Sequence, residues 1–312
     1  MPKILITGGA GFIGSHIAMA ALKGGFEVKI IDNLYTGCLE NLSGIKDRIE
    51  FIKGDIMDLG LLKNEFHDAD FVSHQAALRS VPASFDSPAE YNRVNINGTL
   101  NVLEAARHCG VNRVVFASSS SVYGNSESLP ERETDRPKPI SPYAITKLAC
   151  EMYMKSYNQT YGLETVNLRY FNVFGPMQDP NSRYATVIPL IIRDAINGKT
   201  VTVFGDGSQS RDFTYVKDVS EANVLTCKSK KSSGKTFNIA CGKNISINDI
   251  IQKTAIILGK QIKTKHIHDR KGDVKHSLAD ITKSREILGY EPKYDFDTGL
   301  RETVKWFRET HA

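Results

Sequence analysis

Short apolar runs rich in β-branched residues recur along the first half of the chain, and their centres are almost entirely hydrophobic. Runs of this kind are typical of strands that are covered on both faces, as in a parallel sheet. The pattern predicts strands at Lys3–Thr7, Glu27–Asp32, Ile49–Gly54, Asp70–His74, Arg113–Ser118 and Glu164–Arg169.

Stretches with apolar residues at helical spacing separate these strands. They predict helices at Phe12–Lys23, Leu59–Phe66, Pro88–His108 and Tyr143–Tyr161. Alternation of strand and helix is typical of a doubly wound parallel sheet of the Rossmann type. We therefore predict an α/β protein whose larger, Rossmann-type domain is formed by residues 1–170 with a contribution from about 215–240.

The second half is less regular and predicts a smaller α/β lobe, formed mainly by residues 171–312. Two short strands are predicted at Thr200–Phe204 and Phe213–Val216. Helical patterns cover Ala185–Asn197, Ser246–Leu258 and Phe296–Thr310, and Ser246 suits an N-cap. Because no internal repeat or low-complexity linker is present, the smaller lobe is expected to pack directly on the larger one.

The chain of 312 residues is 41% hydrophobic and 24% charged, which is typical of a folded globular protein and excludes a disordered one. No apolar run approaches the roughly 20 residues that cross a bilayer, and strand-like sequence beginning at Lys3 leaves no room for a signal peptide. The five cysteines are scattered and form no CxxC pair, so free thiols are expected rather than zinc or disulfides. We expect a cytoplasmic protein with no metal site and no membrane contact.

The formal net charge is +5, and the segment from Lys228 to Lys275 is rich in lysine. Aromatic residues do not interleave with these lysines, so no nucleic-acid partner is expected. A surface of this kind suits a compact anion such as a diphosphate equally well.

The strongest local signal is the glycine loop TGGAGFIG at residues 7–14, between the first predicted strand and the first predicted helix. Gly8, Gly11 and Gly14 allow a sharp turn and let a pyrophosphate approach the helix N-terminus. Asp32 ends the second predicted strand 18 residues on, where a carboxylate can accept both ribose hydroxyls of NAD and would repel a 2′-phosphate. A purely structural turn is the alternative, but strand and helix stand in the required order, so the loop predicts a dinucleotide site.

Tyr143 and Lys147 are four residues apart in a predicted helix, which places them on one face of it. A phenol has an ordinary pKa of about 10, so it needs a nearby ammonium to act as a general base near neutral pH. A run of four serines at residues 118–121 precedes them. A surface Tyr and Lys and a solvent-facing serine run are the alternative interpretation, but their order after the glycine loop indicates one active site.

The whole chain resembles the extended short-chain dehydrogenase/reductase family, in particular its nucleotide-sugar 4-epimerases of the UDP-N-acetylglucosamine and UDP-glucose type. In the first lobe the resemblance rests on TGGAGFIG at 7–14, DNLYTG at 32–37, GDI at 54–56, HQAA at 74–77, NINGT at 95–99, SSSSVYG at 118–124, PYAITK at 142–147 and LRYFNVFGP at 168–176. In the second lobe it rests on QDPNSRYATVIP at 178–189, GDGSQSRDFTYVKDV at 205–219 and RKGDVKHSLAD at 270–280.

The resemblance implies NAD as the cofactor, Tyr143 as the catalytic base, Lys147 as a ribose contact and Ser119 as the hydroxyl that bonds the sugar 4-oxygen. The positions that it matches around NAD are Gly8, Gly11, Phe12, Ile13, Gly14, Asp32, Asn33, Leu34, Thr36, Gly37, Asp55, Ile56, Gln75, Ala76, Ala77, Asn95, Tyr143, Lys147 and Tyr170.

The resemblance also implies a UDP-sugar site formed by Arg79, Ser119, Ser120, Ser121, Tyr143, Asn172, Val187, Val203, Phe204, Arg211, Arg270, Asp273 and Ser277. Arg211 and Arg270 match a pyrophosphate clamp and Asp273 a ribose contact. Guanidinium groups suit a diphosphate because each offers bidentate donors, although surface salt bridges are the alternative for both. Ser277 stands where family members restricted to plain hexoses carry a tyrosine, so its small side chain implies room for an acetamido group.

The serine run separates the chemistries of this family. Sugar 4,6-dehydratases carry Asp and Glu where this chain has Ser120 and Ser121, and UDP-glucuronate decarboxylases keep a glutamate at the second position, so neither reaction is expected. The resemblance implies 4-epimerisation of UDP-hexoses through a transient 4-keto sugar, for UDP-N-acetylglucosamine/UDP-N-acetylgalactosamine and UDP-glucose/UDP-galactose. The nearest alternative among enzymes is a UDP-glucuronate 4-epimerase, and the alternative that is not an enzyme is a non-catalytic NAD-sensing module.

The same resemblance implies a homodimer formed through residues 88–108 and 143–161.

Overall fold

The computed structural model describes residues 1–126, 128–180, 186–268 and 275–311. The strands are β1 (Lys3–Thr7), β2 (Glu27–Asp32), β3 (Ile49–Lys53), β4 (Phe71–His74), β5 (Arg113–Ser119), β6 (Glu164–Tyr170), β7 (Val173–Phe174), β8 (Val201–Phe204), β9 (Ser210–Asp212), β10 (Thr214–Tyr215), β11 (Lys235–Ile239), β12 (Asn244–Ser246) and β13 (Thr264–Ile267). The helices are α1 (Phe12–Lys23), α2 (Leu59–Glu65), α3 (Val81–Asp86), α4 (Pro88–Tyr91), α5 (Gly98–Cys109), α6 (Pro142–Tyr161), α7 (Val187–Ile196), α8 (Val216–Lys228), α9 (Ile247–Leu258), α10 (Thr282–Leu288) and α11 (Phe296–His311).

The central sheet has the strand order β11-β6-β5-β4-β1-β2-β3, and every neighbouring pair in it is parallel. The strand order reverses between β1 and β4, so the loops that leave these two strands diverge and open a crevice at their carboxyl ends. The Rossmann-type α/β fold predicted from the sequence is confirmed.

Both faces of the central sheet are covered, as the all-apolar strand centres require. Side chains alternate along β1: Ile4 and Ile6 pack in the layer that contains α1 and α8, whereas Leu5 packs in the layer that contains α2, α5 and α6. All three side chains are fully buried. This alternation fixes the register of β1 and thereby the position of the glycine loop that follows it.

A second hydrophobic core lies in the smaller lobe. It joins α7, α9 and α11 through buried residues that include Ile192, Ile250 and Phe307. Around this core lie three strand pairs: β7 with β10 and β8 with β13 are parallel, and β9 with β12 is antiparallel. The capping box of Ser246 and Asp249 starts α9, as the predicted N-cap requires.

Two predicted elements are corrected by the structure. The helix predicted at Pro88–His108 is interrupted by a π-helical turn at Asn92–Asn97, whose wider winding accommodates the buried, hydrogen-bonded Asn95. The strand predicted at Phe213–Val216 contains only Thr214–Tyr215, because α8 begins at Val216.

The sequence did not predict α8 and β11 as separate elements. The buried face of α8 carries polar residues such as Asn223 and Thr226, which weaken the apolar periodicity. β11 pairs with β6 at the edge of the central sheet. The segment 215–240 therefore contributes one strand and one covering helix to the larger lobe, while the proposed division at residue 170 stays a prediction.

Candidate active site

A cavity of about 1060 Å³ opens at the carboxyl ends of the parallel strands. Its walls come from the glycine loop, from the ends of β2, β4, β5 and β6, and from residues of the smaller lobe such as Arg211 and Trp306. A concave site of this size at the strand-order reversal is where an open α/β sheet binds its ligands.

The glycine loop closes against the segment that follows β4. A Cβ on Gly8, whose φ is +70°, would lie 2.7 Å from the Ala76 nitrogen, and a Cβ on Gly14 would lie 2.2 Å from the Gly8 carbonyl oxygen. Helix α1 begins at Phe12, so the amides of its first turn have no acceptor within the helix and line the cavity. This arrangement fits a pyrophosphate at the helix N-terminus.

Asp32 is buried at the end of β2 and lines the cavity. Its carboxylate accepts hydrogen bonds from the Ala10 nitrogen at 2.9 Å and the Leu34 nitrogen at 2.8 Å. Burial raises the pKa of this carboxyl, which the backbone hydrogen bonds partly counteract. The Gly11 amide also bonds this carboxylate. An ionised carboxylate has about four acceptor positions, so one remains for a ribose hydroxyl, which fits NAD.

The reaction centre lies where β5 meets α6. The Tyr143 hydroxyl is hydrogen-bonded to the Ser119 side chain, and Ser119 Oγ also accepts from Ser121 Oγ at 2.9 Å. One helical turn on from Tyr143, the Lys147 Nζ donates to the Ala117 carbonyl at 2.7 Å and lies 5.9 Å from the centre of the Tyr143 ring. The phenol, the hydroxyl and the ammonium thus share one wall of the cavity.

Burial dominates the protonation of this centre. It raises the pKa of Tyr143 to about 12, although the hydrogen bond from Ser119 and the charge of Arg79 act in the opposite direction. It lowers the pKa of Lys147 to about 8, so this side chain is still mostly protonated near neutral pH. Burial thus outweighs the favourable effects of Ser119 and Arg79 on the Tyr143 phenolate, and the role of Lys147 as the cation that favours this phenolate stays a prediction.

A buried ion pair supports the reaction centre from behind. Arg169 of β6 contacts Glu151 of α6 through two hydrogen bonds, at 2.9 and 2.7 Å, and Ser118 of β5 donates to the same carboxylate. Because both charged side chains are almost fully buried, removing one partner would cost about 3–5 kcal/mol. The pair thus ties β6 to β5, which carries Ser119, and to α6, which carries Tyr143 and Lys147.

The opposite end of the cavity is lined by polar side chains of both lobes. Asn172 has a φ of +33° and follows β6; its Nδ2 donates to the Asp212 carbonyl at 3.0 Å and to Ser277 Oγ at 3.4 Å. Ser277 is buried. Nη1 of Arg211 donates to the Ser210 and Lys275 carbonyls at 2.9 Å each, so this guanidinium is oriented at the cavity wall.

Most of the predicted site residues line the cavity. From the cofactor set these are Gly8, Gly11, Phe12, Ile13, Gly14, Asp32, Asn33, Thr36, Asp55, Ile56, Gln75, Ala76, Ala77, Tyr143, Lys147 and Tyr170. From the substrate set they are Arg79, Ser119, Ser120, Ser121, Tyr143, Asn172, Arg211 and Ser277. The structure brings these residues together, and their individual ligand contacts stay predictions.

Six of the predicted site residues that the structure describes do not form the cavity wall. Arg270 and Asp273 lie outside the described residues. The predicted residues that the structure describes away from the cavity wall are Leu34, Gly37, Asn95, Val187, Val203 and Phe204.

Packing explains several of these positions. The Asn95 amide is used up by hydrogen bonds to the Leu78 backbone and to Thr146. Val203 points into the core of the smaller lobe, and Phe204, next to it on β8, points to the other side and is 39% exposed. A contact of these residues with a ligand would therefore involve their main chain or a different arrangement of the cavity.

Sequence reasoning missed several residues that the cavity includes. Glu131 lies in a polar loop without periodicity, and Trp306 lies on α11, far from any motif. Neither position carries a local signal, because it reaches the cavity only through long-range packing. Among the described residues no group of three or more His, Cys, Asp or Glu side chains is arranged to hold a metal ion.

Comparison with known proteins identifies the family. The family model described as GDP-mannose 4,6 dehydratase matches residues 5–303. The chain belongs to this family of extended short-chain dehydrogenases/reductases. It is 37% identical over 311 residues to the UDP-glucose 4-epimerase of Mycolicibacterium smegmatis, with 98% of each chain covered.

Solved structures agree with this assignment. The UDP-N-acetylglucosamine 4-epimerase of Methanobrevibacter ruminantium, in complex with UDP-N-acetylmuramic acid, is 44% identical with a TM-score of 0.94, covering 99% of this chain and 98% of that one. The UDP-glucuronic acid 4-epimerase of Bacillus cereus, in complex with UDP-glucuronic acid and NAD, is 34% identical with a TM-score of 0.92, covering 99% and 100%.

The predicted family and cofactor are confirmed: the protein is an NAD-dependent isomerase of the nucleotide-sugar 4-epimerase type. Within the described residues, no helix is both long enough and apolar enough to cross a membrane.

Proposed function

We propose that this enzyme interconverts the C4 epimers of UDP-hexoses and accepts both N-acetylated and plain hexoses. The observation that carries the proposal is Ser277. This small buried side chain lines the cavity within hydrogen-bond reach of Asn172. A 2-acetamido group needs volume on that side of the sugar, and a serine leaves it free where a phenol ring would fill it.

In the proposed reaction Tyr143 removes the proton of the sugar 4-hydroxyl, and Ser119 donates a hydrogen bond to the same oxygen. A bound NAD would supply a reversible hydride acceptor for the sugar C4 and a positive charge that favours the Tyr143 phenolate. Lys147, held by the Ala117 carbonyl, adds a second positive charge beside the phenol. Arg211 binds the diphosphate, which keeps the sugar nucleotide in the cavity between the two hydride transfers.

The residues that would hold NAD are the first-turn amides of α1, with Asp32 for a ribose hydroxyl. Lys147 would contact the second ribose. Because the C4 epimers have the same oxidation state, the proposal predicts activity without added oxidant or reductant. Stoichiometric accumulation of NADH during steady turnover would instead indicate a dehydrogenase.

The experiment that tests the proposal is NMR of the purified protein with UDP-glucose, UDP-N-acetylglucosamine and UDP-glucuronate in separate reactions. We expect new C4-epimer signals with the first two sugars. Conversion of UDP-glucuronate alone would refute the proposal in favour of the uronate epimerase, an alternative that is supported by the likeness to the Bacillus cereus enzyme. A NAD-sensing module without turnover is disfavoured, because such modules usually lack the Tyr143 and Lys147 pair.

We further propose a cytoplasmic homodimer that binds neither nucleic acid nor membranes. Ile145, Met152 and Tyr153 of α6 are 54%, 57% and 38% exposed, and Phe85 of α3 is 60% exposed, which supports an apolar surface that a second copy covers. All five cysteines are free thiols, which suits a reducing compartment. Sedimentation of the wild type and of Met152→Glu tests the dimer: a monomeric wild type would refute it.

A further inference from the structure

Glu131 is held in a fixed position beside the segment that contains Ser277. Its backbone nitrogen donates to the Leu278 carbonyl at 2.7 Å, and its carbonyl accepts from the Asp280 nitrogen at 2.9 Å. The Asn238 side chain donates to the same carbonyl at 3.0 Å. These bonds fix the main chain at Glu131 relative to the wall of the cavity.

The Glu131 side chain is only 2% exposed and lines the cavity. Its Oε2 is buried and has no hydrogen-bond partner among the described residues. A buried polar atom without a partner is costly, and in a side chain that lines a cavity such an atom calls for an explanation, which a polar group of a bound ligand can provide.

Four charged groups act on this carboxyl besides its burial. Asp135 and Asp212 disfavour its ionisation, whereas Arg211 and Arg169 favour it. Burial, the largest influence, and the two aspartates together raise the pKa of Glu131 to about 8. Near neutral pH the side chain is therefore mostly a neutral acid, which carries an O–H donor that a carboxylate lacks.

Glu131 and Ser277 lie on the same side of their paired segments. Glu131 pairs in parallel with Ala279, so the two side chains point the same way. Ser277 precedes Ala279 by two residues, and side chains two apart in an extended segment share a face. Both Glu131 and Ser277 line the same cavity.

We propose that Glu131 is a specificity-determining residue that donates a hydrogen bond from its carboxyl to the carbonyl oxygen of the sugar 2-acetamido group. The assignment rests on the proposed function, in which this group lies beside Ser277. A plain hexose has only a short hydroxyl at C2, which leaves the Glu131 Oε2 without its partner. Glu131 therefore favours acetylated sugars over plain ones.

The test uses two variants of similar size on the complete, NAD-loaded enzyme. Glu131→Leu removes the donor, and Glu131→Gln keeps an N–H donor that does not ionise. Glu133→Gln is the matched control. Glu133 lies two residues on, its Oε1 accepts a hydrogen bond from the Asn238 backbone nitrogen, and it does not line the cavity. The measurement is the ratio of KM for UDP-N-acetylglucosamine to KM for UDP-glucose, from about pH 6.5 to about pH 9.5.

In the wild type this ratio should rise as the pH passes about 8, because the carboxylate can no longer donate. Glu131→Leu should raise the ratio about tenfold at neutral pH, which is the expected effect of one lost hydrogen bond. Glu131→Gln should keep a low ratio that does not change with pH. Using a ratio cancels pH effects on Tyr143 or Lys147 that both substrates share.

An unchanged ratio in Glu131→Leu, or a wild-type ratio that is flat with pH, would overturn the assignment. If Glu131→Leu fails to retain NAD, the Glu131→Gln variant decides. A KM ratio that still rises with pH in Glu131→Gln would overturn the assignment, and a ratio that no longer changes with pH would support it. Failure of the wild type to convert either UDP-hexose is a separate outcome, because it refutes the proposed function itself.

Discussion

Replacing Tyr143 with phenylalanine removes one oxygen atom from the wall of the cavity and leaves the half-buried ring in place. Ser119 keeps its two interactions with Ser121, at 2.9 and 3.2 Å, and Lys147 keeps its bond to the Ala117 carbonyl. The surrounding structure is thus retained, and the variant should bind NAD and UDP-sugar as the wild type does.

The magnitude follows from the role of the lost oxygen. General acid–base catalysis by a positioned side chain contributes about 10²–10⁴-fold in rate, which corresponds to about 2.7–5.4 kcal/mol of transition-state stabilisation at about 1.36 kcal/mol per factor of ten. The phenylalanine ring offers no group that could accept the proton in place of the phenol. We expect kcat of Tyr143→Phe to fall by at least about 100-fold.

The assay is the initial rate of epimerisation by NMR, with NAD content and UDP-sugar affinity measured on the same preparations. Tyr153→Phe is the control, because Tyr153 lies on the same helix with a 38% exposed side chain and should keep the full rate. A Tyr143→Phe variant with kcat within about tenfold of the wild type would refute the assignment of the base.

Three further predictions concern single side chains. Lys147→Met should lower kcat at least about 100-fold and move the pH–rate profile to higher pH, since the cation that favours the phenolate is lost; an unshifted profile would contradict this role. Ser277→Tyr should abolish conversion of UDP-N-acetylglucosamine and spare UDP-glucose, whereas Ser277→Ala keeps both; equal loss of both activities would show that this position does not limit sugar size. Gly14→Ala should purify without NAD, as measured by absorbance, because its Cβ would lie 2.2 Å from the Gly8 carbonyl oxygen. Gly44→Ala, where a Cβ meets nothing within 4 Å, is its control and should purify with NAD.

The alternation of buried strands and amphipathic helices was readable from the sequence over the first 170 residues. The glycine loop and the Tyr143–Lys147 pair were readable as well. Each of these features is local: the period of the apolar residues decides the element, and a spacing of four on a helix decides a shared face. For this reason the fold class and the centre of the candidate site were predicted before any contact was known.

Tertiary structure alone decided the rest. The buried face of α8 carries polar residues such as Asn223, so the apolar pattern does not reveal this helix. The side chain of Asn95 donates a hydrogen bond to the Leu78 carbonyl, a contact that only the folded chain creates. The protonation of Tyr143 depends on how deeply the cavity wall buries it, which no local pattern encodes. In the sequence Glu131 is one acidic residue in a polar loop, and only the pairing of its main chain with Ala279 places it at the cavity. Burial and long-range pairing are properties of the assembled chain, because they depend on residues that are distant in sequence.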